Sequence, residues 1–114
     1  MHELSIAISI LESLQEEVER RGCGSFTAVH LRVGLLSGVV PQALRSAYAL
    51  AAENTPFAGS RLVIQEMPVS VFCPACGCAQ PVEFPAFSCP VCRTPSTEVV
   101  SGRELEIVAL ELPT

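Results

Sequence analysis

The sequence predicts an α+β fold in which two helices cover a small three-stranded sheet and a cysteine-rich segment is inserted before the last strand. Helical and strand periodicities alternate along the chain in the order helix, strand, helix, strand, insertion, strand. Five of the six cysteines and six of the nine prolines lie between positions 68 and 95, and prolines at this density favour turns over helix. The 114 residues suffice for one small domain with a satellite.

The first predicted helix has the clearest pattern in the chain. Its apolar residues recur at alternating steps of three and four, at Leu4, Ala7, Leu11, Leu14 and Val18. This spacing places them on one helix face, which we expect to be buried, while serines and glutamates repeat on the opposite face. The arginines at positions 20 and 21 suit the negatively polarised end of the helix, and the glycines that follow end it.

Three strands and a second helix complete this predicted domain. Residues 26–33 alternate between two sets of side chains, which predicts a strand. Pro41 suits the first turn of a second helix, and Pro56 bounds its end. Residues 61–67 predict the second strand, and residues 104–112 predict the last one. The apolar phase of the last strand shifts midway, which either a β-bulge or burial on both faces would explain.

Two Cys-Pro-x-Cys motifs, at 73–76 and 89–92, are separated by twelve residues in the inserted segment. Two residues between the thiolates let one tight turn direct both sulfur atoms to the same ion, and Gly77 can adopt the positive φ that follows such a turn. Two facing turns give tetrahedral four-thiolate coordination, which is typical of a structural zinc ion and leaves no position for a catalytic water. The candidate zinc ligands are Cys73, Cys76, Cys89 and Cys92.

The inserted segment is too small to fold by apolar burial alone. About thirty residues cannot form a sufficient core, so we expect a bound metal to supply folding energy. We therefore predict a zinc-ribbon-like domain at 69–101 and a second domain formed by 1–68 plus 102–114.

Other interpretations of the cysteines are weaker. A redox pair of the thioredoxin type needs one Cys-x-x-Cys motif at a helix N-terminus, whereas this chain has two motifs in a proline-rich segment. Iron can also occupy a four-thiolate site, and the sequence does not distinguish it from zinc. Cys78 is interpreted as a spare thiol or, alternatively, as a transient ligand, and Cys23 and His30 as incidental.

The composition disfavours several classes of function. The formal net charge is −5 and all seven cationic side chains are arginines, which argues against a nucleic-acid partner because phosphate-backbone binding needs a clustered basic surface. No apolar run approaches the roughly 18 residues of a membrane span, and we find no signal peptide, so we expect a cytoplasmic protein without a membrane partner. The sequence has no nucleophile elbow, phosphate-binding loop or His-Glu-x-x-His motif, so we expect no enzyme.

The first three residues, Met1, His2 and Glu3, carry a specific metal-binding chemistry. The α-amine of Met1, the amide nitrogen between Met1 and His2, and a ring nitrogen of His2 can close two fused chelate rings. The amide nitrogen of Glu3, or another donor, then completes a square plane, which suits Ni(II) and Cu(II) but suits Zn(II) poorly. Because His2 is bulky, we expect the initiator methionine and its amine to be retained.

These motifs together resemble the HypA/HybF family of hydrogenase maturation nickel metallochaperones, and the resemblance extends over essentially the whole chain. It rests on the Met-His-Glu start before an amphipathic helix, on residues 32–41, on the two Cys-Pro-x-Cys motifs, and on residues 101–105 before the last strand. It implies an α/β nickel-binding domain with a zinc domain inserted, and nickel bound to Met1, His2 and Glu3. Cys78 is not part of the family pattern.

The resemblance implies a nickel metallochaperone that delivers Ni(II) to the precursor of the [NiFe]-hydrogenase large subunit. It also implies a HypB-type GTPase as a partner. Two other hypotheses stand beside it: a zinc-ribbon adaptor that binds proteins without transferring nickel, and a hydrolase or redox enzyme. The apolar last strand can pair between chains as readily as within one, so the sequence leaves a homodimer open.

Overall fold

A computed structural model describes residues 3–83, 85–96 and 98–113. The elements in chain order are α1 (Glu3–Arg21), β1 (Ala28–Gly34), α2 (Pro41–Ala52), β2 (Arg61–Met67), β3 (Ser70–Cys73), β4 (Cys78–Pro81), β5 (Val99–Ser101) and β6 (Leu105–Glu111). The strands form two three-stranded sheets, in the orders β2-β1-β6 and β4-β3-β5. The predicted α+β class is confirmed. Neither helix in the described part of the chain is long and apolar enough to cross a membrane.

The chain divides into two compact units. The first comprises Met1–Leu31, Val39–Gln65 and Ile107–Thr114, and the second comprises Arg32–Gly38 and Glu66–Glu106. The division falls within β1, β2 and β6, whereas the predicted domain boundaries lie outside these strands, near positions 68 and 102. The assignment of nickel binding to one domain and zinc binding to the other stays a prediction.

Helix α1 packs against α2 in the first unit. Its buried residues are Ala7, Ile10 and Leu14. Ala7 and Leu14 confirm the predicted buried face, and Ile10 is buried where the pattern pointed to Leu11, which is half-buried. Leu4 is in phase with this face, but it lies in the first turn of the helix and is 48% exposed. The buried face of α1 is therefore narrower than the apolar face that the sequence pattern predicts.

The central strand and the last strand of the first sheet differ in burial. β1 is the central strand, and all its residues except His30 and Arg32 are buried. β6 is an edge strand and is exposed at every position except the half-buried Leu110. Burial on both faces, one of the two explanations for the phase shift in the last strand, is therefore wrong, because side chains directed to both faces of β6 are exposed.

The cysteine-rich segment contains a second sheet whose strands the sequence pattern did not reveal. β3 is central and pairs antiparallel with β4, with Cys73 opposite Cys78. On its other side β3 pairs antiparallel with β5, with a register shift between Ser70 and Val71. These strands have only three or four residues, which is too short to give a recognisable periodicity.

Two glycines in the second unit allow the backbone to approach itself closely. The N–H of Gly34 donates to the carbonyl of Glu104 at 2.8 Å, and the N–H of Leu36 donates to the carbonyl of Gly102 at 2.7 Å. A Cβ atom on Gly34 would overlap the Gly102 carbonyl group. Gly102 has a φ of 119°, a conformation that other residues rarely adopt. Both positions therefore require glycine for steric reasons.

We predict that Gly34→Ala lowers the free energy of unfolding by about 3 kcal/mol or more, because the added methyl group overlaps backbone atoms that no side-chain rotation can move. Gly24→Ala is the matched control: a Cβ at Gly24 meets no atom within 4 Å, so we expect a change within about 0.5 kcal/mol. Chemical denaturation of the metal-loaded proteins measures both values. Equal stabilities of the two variants would contradict the steric argument.

Candidate metal centre

The structure brings together the sulfur atoms of Cys73, Cys76, Cys89 and Cys92, which all lie within 4.8 Å of one another. The Sγ of Cys92 lies 3.4 Å from that of Cys73 and 3.7 Å from that of Cys76, which in turn lies 3.9 Å from that of Cys89. A tetrahedral ion with bonds of about 2.3 Å to sulfur requires edges of about 3.8 Å. The separations therefore fit a four-thiolate ion of the zinc type.

The same separations are far from those of disulfides. Bonded sulfur atoms are about 2.05 Å apart, and all six cysteines are free thiols. Cys73 and Cys89 are buried, while Cys76 and Cys92 reach the surface. Each motif thus contributes one buried cysteine and one cysteine that reaches the surface.

The two Cys-Pro-x-Cys motifs have the same local structure. In the first motif, the N–H of Gly77 donates to the carbonyl of Cys73 at 2.8 Å, and the N–H of Cys76 donates to the sulfur of Cys73 at 3.4 Å. In the second motif, the N–H of Arg93 donates to the carbonyl of Cys89 at 2.8 Å. Gly77 has a φ of 73°, as predicted, and Arg93 has a φ of 62°. A left-handed residue therefore follows each motif, and in the second it is not a glycine.

The hydrogen bonds within the cluster give its thiols different pKa values. The hydroxyl of Thr94, which lies 3.1 Å from the sulfur of Cys92, lowers the pKa of Cys92 to about 6, with a further contribution from the Thr94 N–H. Hydrogen bonds to the neighbouring thiols, Cys92 first and then Cys73, raise the pKa of Cys76 to about 12. One thiolate can therefore form near neutral pH without an ion, and binding a cation must displace the remaining protons.

Thr94 was not identified from the sequence as a residue of the site. It lies two positions after the second motif, and a hydroxyl side chain at this position is the signal that could have revealed it. The N–H of Cys89 donates to the Thr94 carbonyl at 3.0 Å. Thr94 thus contacts both cysteines of its motif and fixes the second half of the cluster.

The structure places the other cysteines and His30 outside the cluster. Cys78 is exposed, and the amide of Gln80 donates to its sulfur at 3.4 Å. Cys23 is half-buried and belongs to no described metal-binding group. His30 lies 2.6 Å from the carboxylate of Glu111, and this hydrogen bond lowers the pKa of Glu111. The described four-thiolate cluster thus contains none of these three residues, and the two alternatives for Cys78, a spare thiol or a transient ligand, stay predictions.

The three residues predicted to bind nickel are only partly within the described structure. Met1 and His2 lie outside the described residues. Glu3 is the first residue of α1, and its carboxylate accepts a hydrogen bond from the N–H of Val40 at 3.3 Å. Val40 precedes α2 and makes no side-chain capping bond to it. The Glu3 side chain thus connects the starts of the two helices.

These features define a small α+β metal-binding protein that has a four-thiolate centre on its second sheet. The sequence model of the family described as "Hydrogenase/urease nickel incorporation, metallochaperone, hypA" matches residues 1–112. The chain belongs to the HypA family. The family consists of metallochaperones for nickel incorporation, not of enzymes.

Several relatives are similar over their full length. The chain is 50% identical over 114 residues to hydrogenase maturation factor HypA of Chloroflexus aurantiacus, covering 99% of this chain and 100% of the relative. It is 47% identical to the Chloroflexus aggregans protein of the same name, with the same coverage. It is 40% identical to that of Desulfosudis oleivorans, covering 98% of each chain.

Two solution structures share the fold. One is that of the Ni metallochaperone HypA from Helicobacter pylori, with a TM-score of 0.68, 21% identity, and coverage of 98% of this chain and 97% of that one. The other is that of a HypA protein, with a TM-score of 0.72, 21% identity and coverage of 99% and 97%. At this identity the two structures support the fold alone.

We predict that Cys92→Ser abolishes tight zinc binding, because an alcohol is not ionised near neutral pH and leaves the ion with three thiolates. Cys78→Ser is the matched control and should retain one zinc per chain, because Cys78 lies outside the cluster. Metal analysis after dialysis against a chelator measures the difference. Equal zinc retention by the two variants would contradict the assignment of the ligands.

Proposed function

We propose that this chain is a nickel carrier that binds Ni(II) at its N-terminus and delivers it to the precursor of the [NiFe]-hydrogenase large subunit. The observation that carries the proposal is the family match over residues 1–112, a range that includes the proposed nickel ligands Met1, His2 and Glu3. The relatives that share about half of the sequence are named as hydrogenase maturation factors, which supports a hydrogenase client. A HypB-type GTPase is the proposed second partner, and the cytoplasm the proposed location.

The proposed nickel ligands are nitrogen atoms of Met1, His2 and Glu3. Glu3 is the first residue of α1, so a metal ion that replaces its amide proton, with the proton released to water, would break no bond of the helical i→i−4 ladder. The partial positive charge at a helix N-terminus also favours an anionic amide nitrogen. The Glu3 carboxylate already contacts Val40, so the backbone rather than the side chain is the better donor at this position.

The proposed zinc site has a different task from the nickel site. Zinc on Cys73, Cys76, Cys89 and Cys92 would cross-link the short strands and supply folding energy. Its four thiolates leave no open coordination position, which favours permanent retention. Donors at a chain end, by contrast, can be displaced one at a time by the ligands of a partner, which suits a metal that must be passed on.

We predict that extending the N-terminus by one residue abolishes stoichiometric nickel binding, because the free α-amine is displaced from the chelate while every side chain remains. His2→Ala should also lose nickel, because it removes the imidazole donor. Both variants should retain zinc. Isothermal titration with Ni(II) and metal analysis of untagged protein measure these outcomes.

His30→Ala is the matched control, since His30 is the chain's only other histidine and has a carboxylate partner. It should bind nickel as the parent does. A chemical test is also available: the sequence has no lysine, so an amine-selective acetylating reagent modifies the α-amine and no side-chain amine. Nickel binding that survives both the extension and the acetylation would refute the proposed site and leave a zinc-dependent protein adaptor.

We predict that acidification releases nickel. Protons compete for the α-amine and the imidazole, whose ordinary pKa values are about 7.8 and about 6.5, so affinity should fall by at least about tenfold per pH unit between about pH 8 and about pH 6. Nickel titrations at the two pH values measure the change, with the zinc content recorded in parallel. An affinity that does not change would exclude amine and imidazole ligation.

A further inference from the structure

A groove in the first unit is lined by none of the proposed metal ligands. Its volume is about 490 Å³, and it runs between α2, which contributes Arg45, Tyr48 and Ala49, and residues 60–64, which comprise Ser60 and the first four residues of β2. β2 is at the edge of the sheet β2-β1-β6 that the described residues form. An edge strand presents backbone N–H and C=O groups that can pair with an added strand. The groove therefore has the form of a docking site for an extended segment.

The residues along this edge suit an added strand. Leu62, Val63 and Ile64 are half-buried apolar residues in the middle of β2, and Arg61 at its start is exposed. β2 contains neither proline nor lysine, two residues that commonly prevent edge strands from pairing. Backbone pairing along the edge would give affinity, and the arginines beside it would select the charge of the segment.

The groove carries positive charge on an acidic protein. The net charge of the chain is −5, yet two arginines line the groove. Arg45 is half-buried, and no carboxylate of the described residues lies within ion-pairing distance of it. Arg61 is 66% exposed and reaches Glu111 only at 3.6 Å, a contact that an incoming carboxylate can replace. Guanidinium groups bind carboxylates through paired N–H donors, so the groove favours an acidic occupant.

The hydroxyl groups in the groove cannot bind an anion. The hydroxyl of Ser60 donates to the carbonyl of Phe57 at 2.6 Å, so the hydroxyl of Tyr48, also 2.6 Å away, must donate to Ser60. Both hydroxyl protons are therefore engaged within the protein. The oxygen lone pairs of these hydroxyls can still accept hydrogen bonds from the backbone N–H groups of an added segment. This pair holds the start of β2 against α2, and the two arginines are the groups that can attract negative charge.

We propose that the groove between α2 and β2 binds an extended acidic segment of a partner protein, which adds a strand to the edge of β2 and places carboxylates on Arg45 and Arg61. Two arginines on an acidic chain without lysine are too few for a nucleic acid, whose binding needs a clustered basic surface. The site involves neither set of metal ligands. The proposal for this groove therefore does not depend on whether the chain binds nickel.

The test is an NMR titration of the zinc-loaded, nickel-free full chain with a capped synthetic peptide of alternating valine and glutamate, about ten residues long. We expect amide shift changes at residues 45–49 and 60–64. Arg45→Ala and Arg61→Ala should each weaken binding by about three- to tenfold, and Arg45→Glu should weaken it further. Arg20→Ala is the matched control, because it removes the same charge from α1, and it should change the affinity less than twofold.

Four results would overturn the proposal. The first is equal binding of a peptide in which lysine replaces glutamate. The second is a set of shift changes that lies elsewhere on the chain. The third is full reproduction of the changes by inorganic phosphate, which would make the groove a small-anion site. The fourth is self-association in ultracentrifugation with changes at residues 60–64, which would make a second copy the occupant. If Arg45→Ala fails to fold, Arg61→Ala alone decides the charge dependence.

Discussion

The convergence of four cysteine sulfur atoms within 4.8 Å of one another is the constraint on which the second unit depends. Four thiolates at this distance repel one another, and four neutral thiols make only weak hydrogen bonds, so neither state gives the arrangement much stability. A divalent cation offsets the repulsion and makes the convergence favourable. The strands that surround the cluster have three or four residues each, and a sheet of this size is at best marginally stable by itself. A bound ion and the second sheet would therefore stabilise each other.

The proposed division of labour follows from how each site is attached to the chain. The cysteines are fixed by β3, by two hydrogen-bonded turns and by Thr94, so their sulfur atoms have little freedom. The proposed nickel donors belong to the first residues, of which Glu3 begins α1. A rigid closed site retains its ion, and a terminal site can surrender one. The same polypeptide can in this way hold one metal for its own structure and another as cargo.

The sequence predicted the helices and strands whose apolar residues recur with a regular period. The end of α1 at Arg21, the start of α2 at Pro41 and both bounds of β2 agree with the pattern. The short strands of the second sheet were missed, because pairing with β3 and the cysteine cluster, rather than alternating burial, determines them.

The spacing of the cysteines was sufficient to predict the cluster, since the chemistry of a tetrahedral ion constrains it. Thr94 was missed because a hydroxyl near a sulfur atom follows from the shape of the turn, which the spacing of the ligands does not specify. The nickel ligands were inferred from donor chemistry and family resemblance, and they stay a prediction.

The two turns reach similar left-handed backbone conformations at different energetic cost, which bears on how the cluster loses its structure. Gly77 adopts its left-handed conformation without strain, whereas Arg93 adopts a similar one with a side chain attached, at a cost of about 1 kcal/mol. The first turn is also flanked by the paired ends of β3 and β4, while the second is flanked by the single bridge between Ser88 and Pro95. We therefore expect withdrawal of a cation to loosen the half containing Cys89 and Cys92 before the half containing Cys73 and Cys76.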